Sequence, residues 1–320
     1  MKKAISALML SLGLAVFAGA AWPQAWPSKP IKVVVGFPPG TIVDGSIRQV
    51  ANEMEKKLGQ QFVLEFKPGA SGTIAAKSVA TAPADGYTLL FGPAVGVHPL
   101  FTKNNAVDSG TELVSVSNVI SNPFYFIASG KLPVRTFDEL RKYAAANPVP
   151  LSQGNSIETQ DLIMEILRER TGIATRSIPY KGSTQIVLGI LSGEVDLSIG
   201  SILAYVPHIP TGGARVLFIA AGKRNPLFPA IPTAAEVGVQ NFELSLDYGL
   251  WAPLGTPNEI VQRLAAEAAA GTRVPAVADQ LRKFGTDPIG STPEEQLRTF
   301  NAQIKFWTDA IKQTGYKPRS

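Results

Sequence analysis

Few residues in this chain could carry covalent chemistry. The sequence holds no Cys and only two His, so a thiol nucleophile is excluded and a histidine-built metal centre is poorly supported. His98 follows an apolar segment and stands beside Pro99, a position that suits either a cleft or an ordinary loop. His208, close to Pro207 and Pro210, reads as structural. No G-x-S-x-G elbow, G-x-x-x-x-G-K-[ST] phosphate loop or G-x-G-x-x-G fingerprint occurs. Gly69-Ala70-Ser71-Gly72-Thr73 has the glycines of a phosphate loop but neither its Lys nor its spacing. No constellation demands a reaction, a metal or a cofactor, and what remains is binding.

The stretch best suited to binding runs from Ile31 to Asp44. An apolar run, Ile31 to Val35, reads as a buried strand; Pro38-Pro39-Gly40 breaks it, and a helical pattern starts near Asp44 with Ile47, Val50, Ala51, Met54 and Leu58 on one face. A strand feeding a helix through a tight turn leaves unpaired N–H groups and partial positive charge at the helix start, which suits a carboxylate. The plainer reading, favoured by the local pattern alone, is an ordinary turn in which Asp44 caps its own helix.

The elements that must hold such a loop follow in order. Gln61 to Phe66 is expected as a strand, Thr73 to Ala80 as a helix, and Tyr87 to Phe91, Val114 to Ile120 and Phe124 to Ala128 as strands. Thr136-Phe137-Asp138-Glu139 is a capping box opening a helix to Ala146. After Leu151 the residues Ser152-Gln153-Gly154-Asn155-Ser156 read as a polar loop before a helix to about Arg170. Strand 175–178, helix 183–191 and strands 195–199 and 215–220 complete the middle region. In the last third, Phe242 to Trp251 is a long strand or strand pair, and Thr256-Pro257-Asn258-Glu259 and Thr292-Pro293-Glu294-Glu295 are capping boxes starting two amphipathic helices. Leu297, Phe300, Ile304, Trp307 and Ile311 share the core face of the second. This alternation predicts an α/β fold with mainly parallel sheets, and ligands in such folds sit beyond the carboxyl ends of the strands. The loops after Val35, Phe91, Leu151, Ile178 and Ile199 qualify.

Length and charge set the limits. At 320 residues the chain is too long for one ordinary core and predicts two domains. The net charge of +5 is scattered, with no Lys/Arg cluster marking a nucleic-acid face. Lys2 and Lys3, an apolar run from Ala4 to Phe17 and Ala18-Gly19-Ala20 form a secretory signal peptide over residues 1–20, too short for a membrane anchor and without a stop-transfer flank. The mature chain is expected to be a soluble periplasmic protein, stabilised by its core without disulfides.

Taken together, the motifs resemble a known family. Trp26-Pro-Ser-Lys-Pro-Ile31, Val35-Gly-Phe-Pro-Pro-Gly40 with Asp44, Lys67-Pro-Gly-Ala-Ser-Gly72, Asp85-Gly-Tyr-Thr-Leu-Leu90 and Pro179-Tyr-Lys-Gly182 are similar to the extracytoplasmic solute receptors of tripartite tricarboxylate transporters, the Bug (Bordetella uptake) receptors. Leu191-Ser-Gly-Glu-Val-Asp196, Pro207-His-Ile209, Ile231-Pro-Thr-Ala-Ala-Glu236 and Gly249-Leu-Trp-Ala-Pro-Leu-Gly-Thr-Pro257 extend the match over the mature chain. The resemblance implies a two-lobed, type II-like periplasmic binding fold that closes on a small carboxylate and passes it to membrane permease subunits. One lobe is expected from residues 24–123 and 244–320, the other from 124–243. Neither an enzyme nor a cofactor is implied, and a monomer is expected. A periplasmic sensor presenting its ligand to a signalling partner is the alternative.

By the same resemblance the ligand loops carry Phe37, Pro39, Gly40, Thr41, Val43 and Asp44; Ala94, Val95 and His98; Asn155, Ser156, Thr159 and Gln160; Tyr180, Lys181 and Gly182; and Gly200 and Ser201. Backbone N–H groups, small hydroxyls and water are expected to hold the carboxylate. Lys181, on local evidence a solvated turn charge, gains its anion-attracting role from the resemblance alone. Phe37 and Tyr180 are favoured over Tyr248 and Trp251 as pocket aromatics. The chain departs from the family pattern in three places. Thr41 stands where a second Gly is usual, Gln160 or Asp161 stands where a His is usual, and Gly200 replaces an Asp. Losing the acid and the His predicts a changed ligand choice and Gly200 an enlarged pocket, which favour a bulkier or less amino-acid-like carboxylate, such as an aromatic one.

Overall fold

The computed structural model describes residues 26–93, 100 and 107–317. Strand β1 (Ile31–Val35) is buried except at Lys32 and lies between β2 (Phe62–Phe66) and β3 (Thr88–Gly92), both parallel to it. A run apolar except at Lys32 suits this place, since helices cover both faces of the sheet. Helix α1 (Ile42–Leu58) returns the chain from β1 to β2, and α2 (Thr73–Ala80) from β2 to β3. The long strand β4 (Leu113–Pro123) then leads to a second sheet.

That sheet holds β5 (Tyr125–Ser129), β6 (Leu151–Asn155), β7 (Thr175–Pro179), β8 (Leu197–Gly200) and β9 (Ala214–Ile219), in the order β7-β6-β8-β5-β9. Helices α3 (Phe137–Ala146), α4 (Glu158–Thr171) and α5 (Ser183–Ser192) connect its strands. Strand β10 (Ser245–Pro253) returns to the first sheet, where α6 (Asn258–Arg273), α7 (Pro275–Lys283), the short β11 (Asp287–Pro288) and α8 (Pro293–Thr314) follow. The first sheet runs β11-β4-β10-β3-β1-β2.

The two passages between sheets are stitched together. Phe124 N–H donates to Leu244 O (3.1 Å), Ala220 N–H to Phe124 O (2.8 Å) and Leu244 N–H to Ala220 O (2.8 Å). One apolar cluster packs α1, α6 and α7 on the first sheet, and another packs α5 on the second. A third is continuous across both sheets and includes Phe300, Trp307 and Ala310 of α8.

Several expectations need correction. The sheets are mixed, with four parallel and five antiparallel pairings among the described residues, because the strands around the crossings enter antiparallel. The polar loop after Leu151 is the buried strand β6. Its polarity is matched by Asp196, whose carboxylate accepts from Ser152 N–H (2.8 Å) and hydroxyl (2.7 Å). Thr256 does not cap α6; its hydroxyl donates to Pro253 O (2.8 Å) in the preceding turn. Helix α7 adds an element to the last third, separated from α6 by extended Val274 before Pro275. Leu297 of α8 is exposed, and Gln296 takes the inward position. The capping box at Thr292 and Glu295 forms as expected. Among the described residues no helix is long and apolar enough to cross a membrane.

Candidate functional site

The β1–α1 turn is closed by its own polar groups. Thr41 is the N-cap: its hydroxyl accepts from Asp44 N–H (3.4 Å) and donates to Pro38 O (2.9 Å). The Asp44 carboxylate reaches back to Gly40 N–H (2.8 Å) and pairs with Arg48 (2.6 Å). Asp44 therefore helps to close the turn, but the helix cap is Thr41 rather than Asp44, which the plainer reading expects. Helix geometry leaves the N–H groups of Ile42 and Val43 without intrahelical acceptors, because the first closing bond is Gly45 N–H to Thr41 O. Phe37 meets Tyr248 edge-on, with ring centroids 5.8 Å apart.

The second sheet contributes the turn between β6 and α4. The Asn155 side chain turns inward to Asp161 and Ser177, a part-buried polar cluster. Gln160 is the pin of this turn. Its carbonyl oxygen accepts from Ser156 N–H (2.8 Å) and Ile157 N–H (3.4 Å), and its amide donates to Ile199 O at the end of β8 (2.6 Å). The Thr159 hydroxyl is buried and has no hydrogen-bond partner. A Cβ at Gly200 would lie 3.4 Å from the Gln160 amide nitrogen. The space opened by Gly200 is thus bordered by Gln160, which tempers the expected enlargement.

Gly200 pairs in register with Tyr125, whose buried hydroxyl accepts from Asn225 (2.9 Å) and whose pKa burial pushes up to about 12. Tyr180 donates its N–H to Asn155 O (2.8 Å), and its ring lies over Gly154 and Gly189 toward α5. Burial, then the neighbouring Glu194, raises its hydroxyl pKa. Tyr180 thus packs with the core of the second sheet, while Phe37 pairs with Tyr248, an aromatic ranked lower from the sequence. Lys181 is exposed, forms no ion pair among the described residues and donates its N–H to Gln185 at the start of α5 (3.1 Å). Gly182 is the N-cap of α5, and the Ser201 hydroxyl accepts from Leu203 N–H (3.4 Å). Ala94, Val95 and His98 lie outside the described residues, and Pro39 is exposed in the first turn.

Contacts join the two sets of loops. A Cβ at Gly45, in the first turn of α1, would lie 3.0 Å from the Phe284 ring, and one at Gly285 would lie 3.1 Å from Ile202, just past Gly200 and Ser201. The N-terminus of α1, Phe284-Gly285, the β8 loop, Gln160 and the N-terminus of α4 therefore form one connected series. Sequence reasoning missed Phe284, Gly285 and Tyr125. The only sequence signal at Phe284 and Gly285 was a glycine after the basic end of an amphipathic segment. Among the described residues no group of His, Asp and Glu is placed to hold a metal.

The profile of the tripartite tricarboxylate transporter family receptors matches residues 46–316. The chain belongs to this family. The receptor is 31% identical to Protein BugT of Bordetella pertussis over 99% of each chain. It is similar in structure to the periplasmic binding protein BugD, with 29% identity, a TM-score of 0.79 and coverage of 92% of this chain and 100% of that one. It is also similar to an R. palustris protein with adipate, with 32% identity, a TM-score of 0.82 and coverage of 92% and 100%. MatC from Rhodopseudomonas palustris, with bound malate, is 26% identical with a TM-score of 0.76, covering 89% and 100%. The receptor thus has the two-lobed fold of periplasmic binding proteins.

Proposed function

We propose that this receptor captures a small dicarboxylate in the periplasm and delivers it to the membrane permease subunits of a tripartite transporter. The observation that carries this reading is the connected series from the α1 N-terminus to the α4 N-terminus, one helix from each sheet. Each helix start offers partial positive charge, and the N–H groups of Ile42 and Val43 and the Thr159 hydroxyl are donors at these two starts that the fold does not use. Neutral donors favour reversible capture, since a buried ion pair repays its desolvation poorly. Residues 1–20 act as the export signal, and the lobes comprise 24–123 with 244–320, and 124–243, which divide at the stitched crossings. The ligand sits between the lobes and hinge closure buries it. The family is one of receptors, and on this reading the ligand is released unchanged.

Adipate and malate, held by the two R. palustris proteins, define the first ligands to test. Because Gln160 borders the space beside Gly200, aliphatic dicarboxylates rank ahead of aromatic ones. The test is a thermal-shift screen of the mature protein with aliphatic dicarboxylates, tricarboxylates and aromatic carboxylates. A ligand at a hundred times its Kd stabilises by about 2.7 kcal/mol, a shift of several degrees. A shift confined to aromatic carboxylates would overturn the ranking, and none with any carboxylate would overturn the ligand class.

A further inference from the structure

A second polar site lies apart from these loops, between the first sheet and α8. Gln296 is 1% exposed, yet neither end of its amide is hydrogen-bonded; the indole N–H of Trp251, 2% exposed, is equally without a partner. Buried polar groups are rarely left so, because each costs its desolvation. The backbone is shaped around this place. Strand β10 bulges against β4 between Tyr248 and Gly249 and again between Leu250 and Trp251, and bulges commonly re-aim side chains beside functional sites. A Cβ at Gly249 would lie 2.3 Å from the Gln296 amide nitrogen and 2.9 Å from Ser117 O, so only glycine admits the Gln296 amide.

Asn118, Asp247, Trp251, Gln296, Thr299 and Gln303 border a cavity with about 10 Å³ open to the centre of a water-sized sphere, room for one water molecule. Asp247 joins this cavity to the crossing strands. Its Oδ1 accepts from Ser121 of β4 (2.6 Å) and Ser245 of β10 (2.9 Å), and its Oδ2 from Gln303 of α8 (2.9 Å). Ser121 and Ser245 stand within three residues of Phe124 and one of Leu244, where the passages are stitched.

We propose that this cavity binds a single ordered water that links Gln296 and Trp251 to the Asp247 junction, forming a hydrated pivot that fixes β4, β10 and α8 while the lobes swing. The lining selects the occupant. A cation would meet the Trp251 N–H, an anion would meet the Asp247 carboxylate, and an apolar group would leave both Gln296 atoms unsatisfied. Water, which donates and accepts, answers all three. This pivot rests on the two-lobed architecture alone, whichever ligand the receptor takes.

The test has two parts. A high-resolution crystal structure of the mature receptor is expected to show one water within hydrogen-bond distance of the Gln296 amide and the Trp251 indole nitrogen. An empty cavity, or an ion ringed by oxygens, would overturn the site. The receptor has no native Cys, so spin labels at Lys57→Cys on α1 and Lys142→Cys on α3 report the distance between lobes by pulsed electron resonance. Gln296→Leu is expected to broaden that distribution in the ligand-free receptor. Trp251→Phe, which keeps a packed ring and loses only the indole edge, is expected to broaden it less. Distributions as narrow as the parent's in both folded variants would overturn the pivot.

Discussion

The side-chain amide of Gln160 donates to the Ile199 carbonyl at 2.6 Å, while its own carbonyl oxygen accepts from the N–H groups of Ser156 and Ile157. One uncharged side chain thereby fixes the start of α4 against the end of β8, two loops of the proposed ligand site that are 39 residues apart in the chain. The same amide stands beside the place a Gly200 side chain would fill. Residues 160 and 200 therefore act as a pair: what occupies one limits the other.

Gln160→Ala leaves a buried carbonyl and two turn N–H groups without their partner. A stability loss of about 1–3 kcal/mol is expected, with a roughly tenfold or greater loss of affinity for the carboxylate, since about 1.4 kcal/mol of misplaced donor geometry suffices for that. Calorimetric titration and thermal melts measure both. Gly200→Ala, whose Cβ makes only ordinary contact with Gln160, is expected to change stability by no more than about 0.5 kcal/mol. If Gln160→Ala bound normally, the pairing would be irrelevant to the ligand.

Thr41 carries a structural duty besides its proposed ligand role. Its hydroxyl caps α1, so Thr41→Ala is expected to cost about 1 kcal/mol, a fall in Tm of roughly 2–4 °C for a protein of this size. Affinity should fall as well, because the Ile42 and Val43 N–H groups are aimed by that cap. Thr41→Ser keeps the oxygen and should restore both. An alanine variant with lowered Tm and full affinity would remove Thr41 from the ligand site.

Much of this was legible from local pattern. The strand Ile31–Val35, the helix Thr73–Ala80 and the Thr292–Glu295 capping box need only their own residues and neighbours to form. What sequence could not show depends on partners far along the chain. Gly200 looks like a hole until Gln160 is seen beside it, and the packing of the Tyr180 ring beside Gly154 and Gly189 has no signal in its own neighbours in the sequence. Gln296 falls on the inward face of α8 because Gly249 and two bulges in β10 make room for an amide, which no hydrophobic period announces.

Asp247 makes stability depend on pH in an unusual sense for a carboxylate. Burial pushes its pKa above the ordinary value, against the lowering effect of Ser121, Ser245 and Gln303. The folded protein then binds this proton more tightly than the unfolded chain, so Asp247 favours folding as pH falls from its raised folded value toward the unfolded value of about 3.9. That contribution is lost as pH rises through the folded value. Asp247→Asn removes the titration, so the Tm of the parent relative to this variant should rise on acidification through that window. A constant difference in Tm would show that Asp247 titrates as an exposed carboxylate does.

Asp196 tests why a polar run can be a central strand. Strand β6 lies between β7 and β8, and Ser152 on it has its N–H and its hydroxyl bonded to the Asp196 carboxylate, 44 residues away. The Asp196 N–H in turn donates to the Ser152 hydroxyl oxygen at 3.0 Å. Removing the carboxylate leaves the buried Ser152 N–H without this acceptor, since the carboxylate stands where a ladder partner would otherwise be needed. Asp196→Ala is therefore expected to destabilise by about 1–3 kcal/mol, measured by urea unfolding, and Asp196→Asn by less, because its amide oxygen still accepts. Ligand affinity should hold in both while they remain folded, since Ser152 sits at the opposite end of β6 from Asn155 and the α4 turn. A fully stable Asp196→Ala protein would mean that the backbone ladder alone holds this strand, leaving its polar sequence without the partner argued for it.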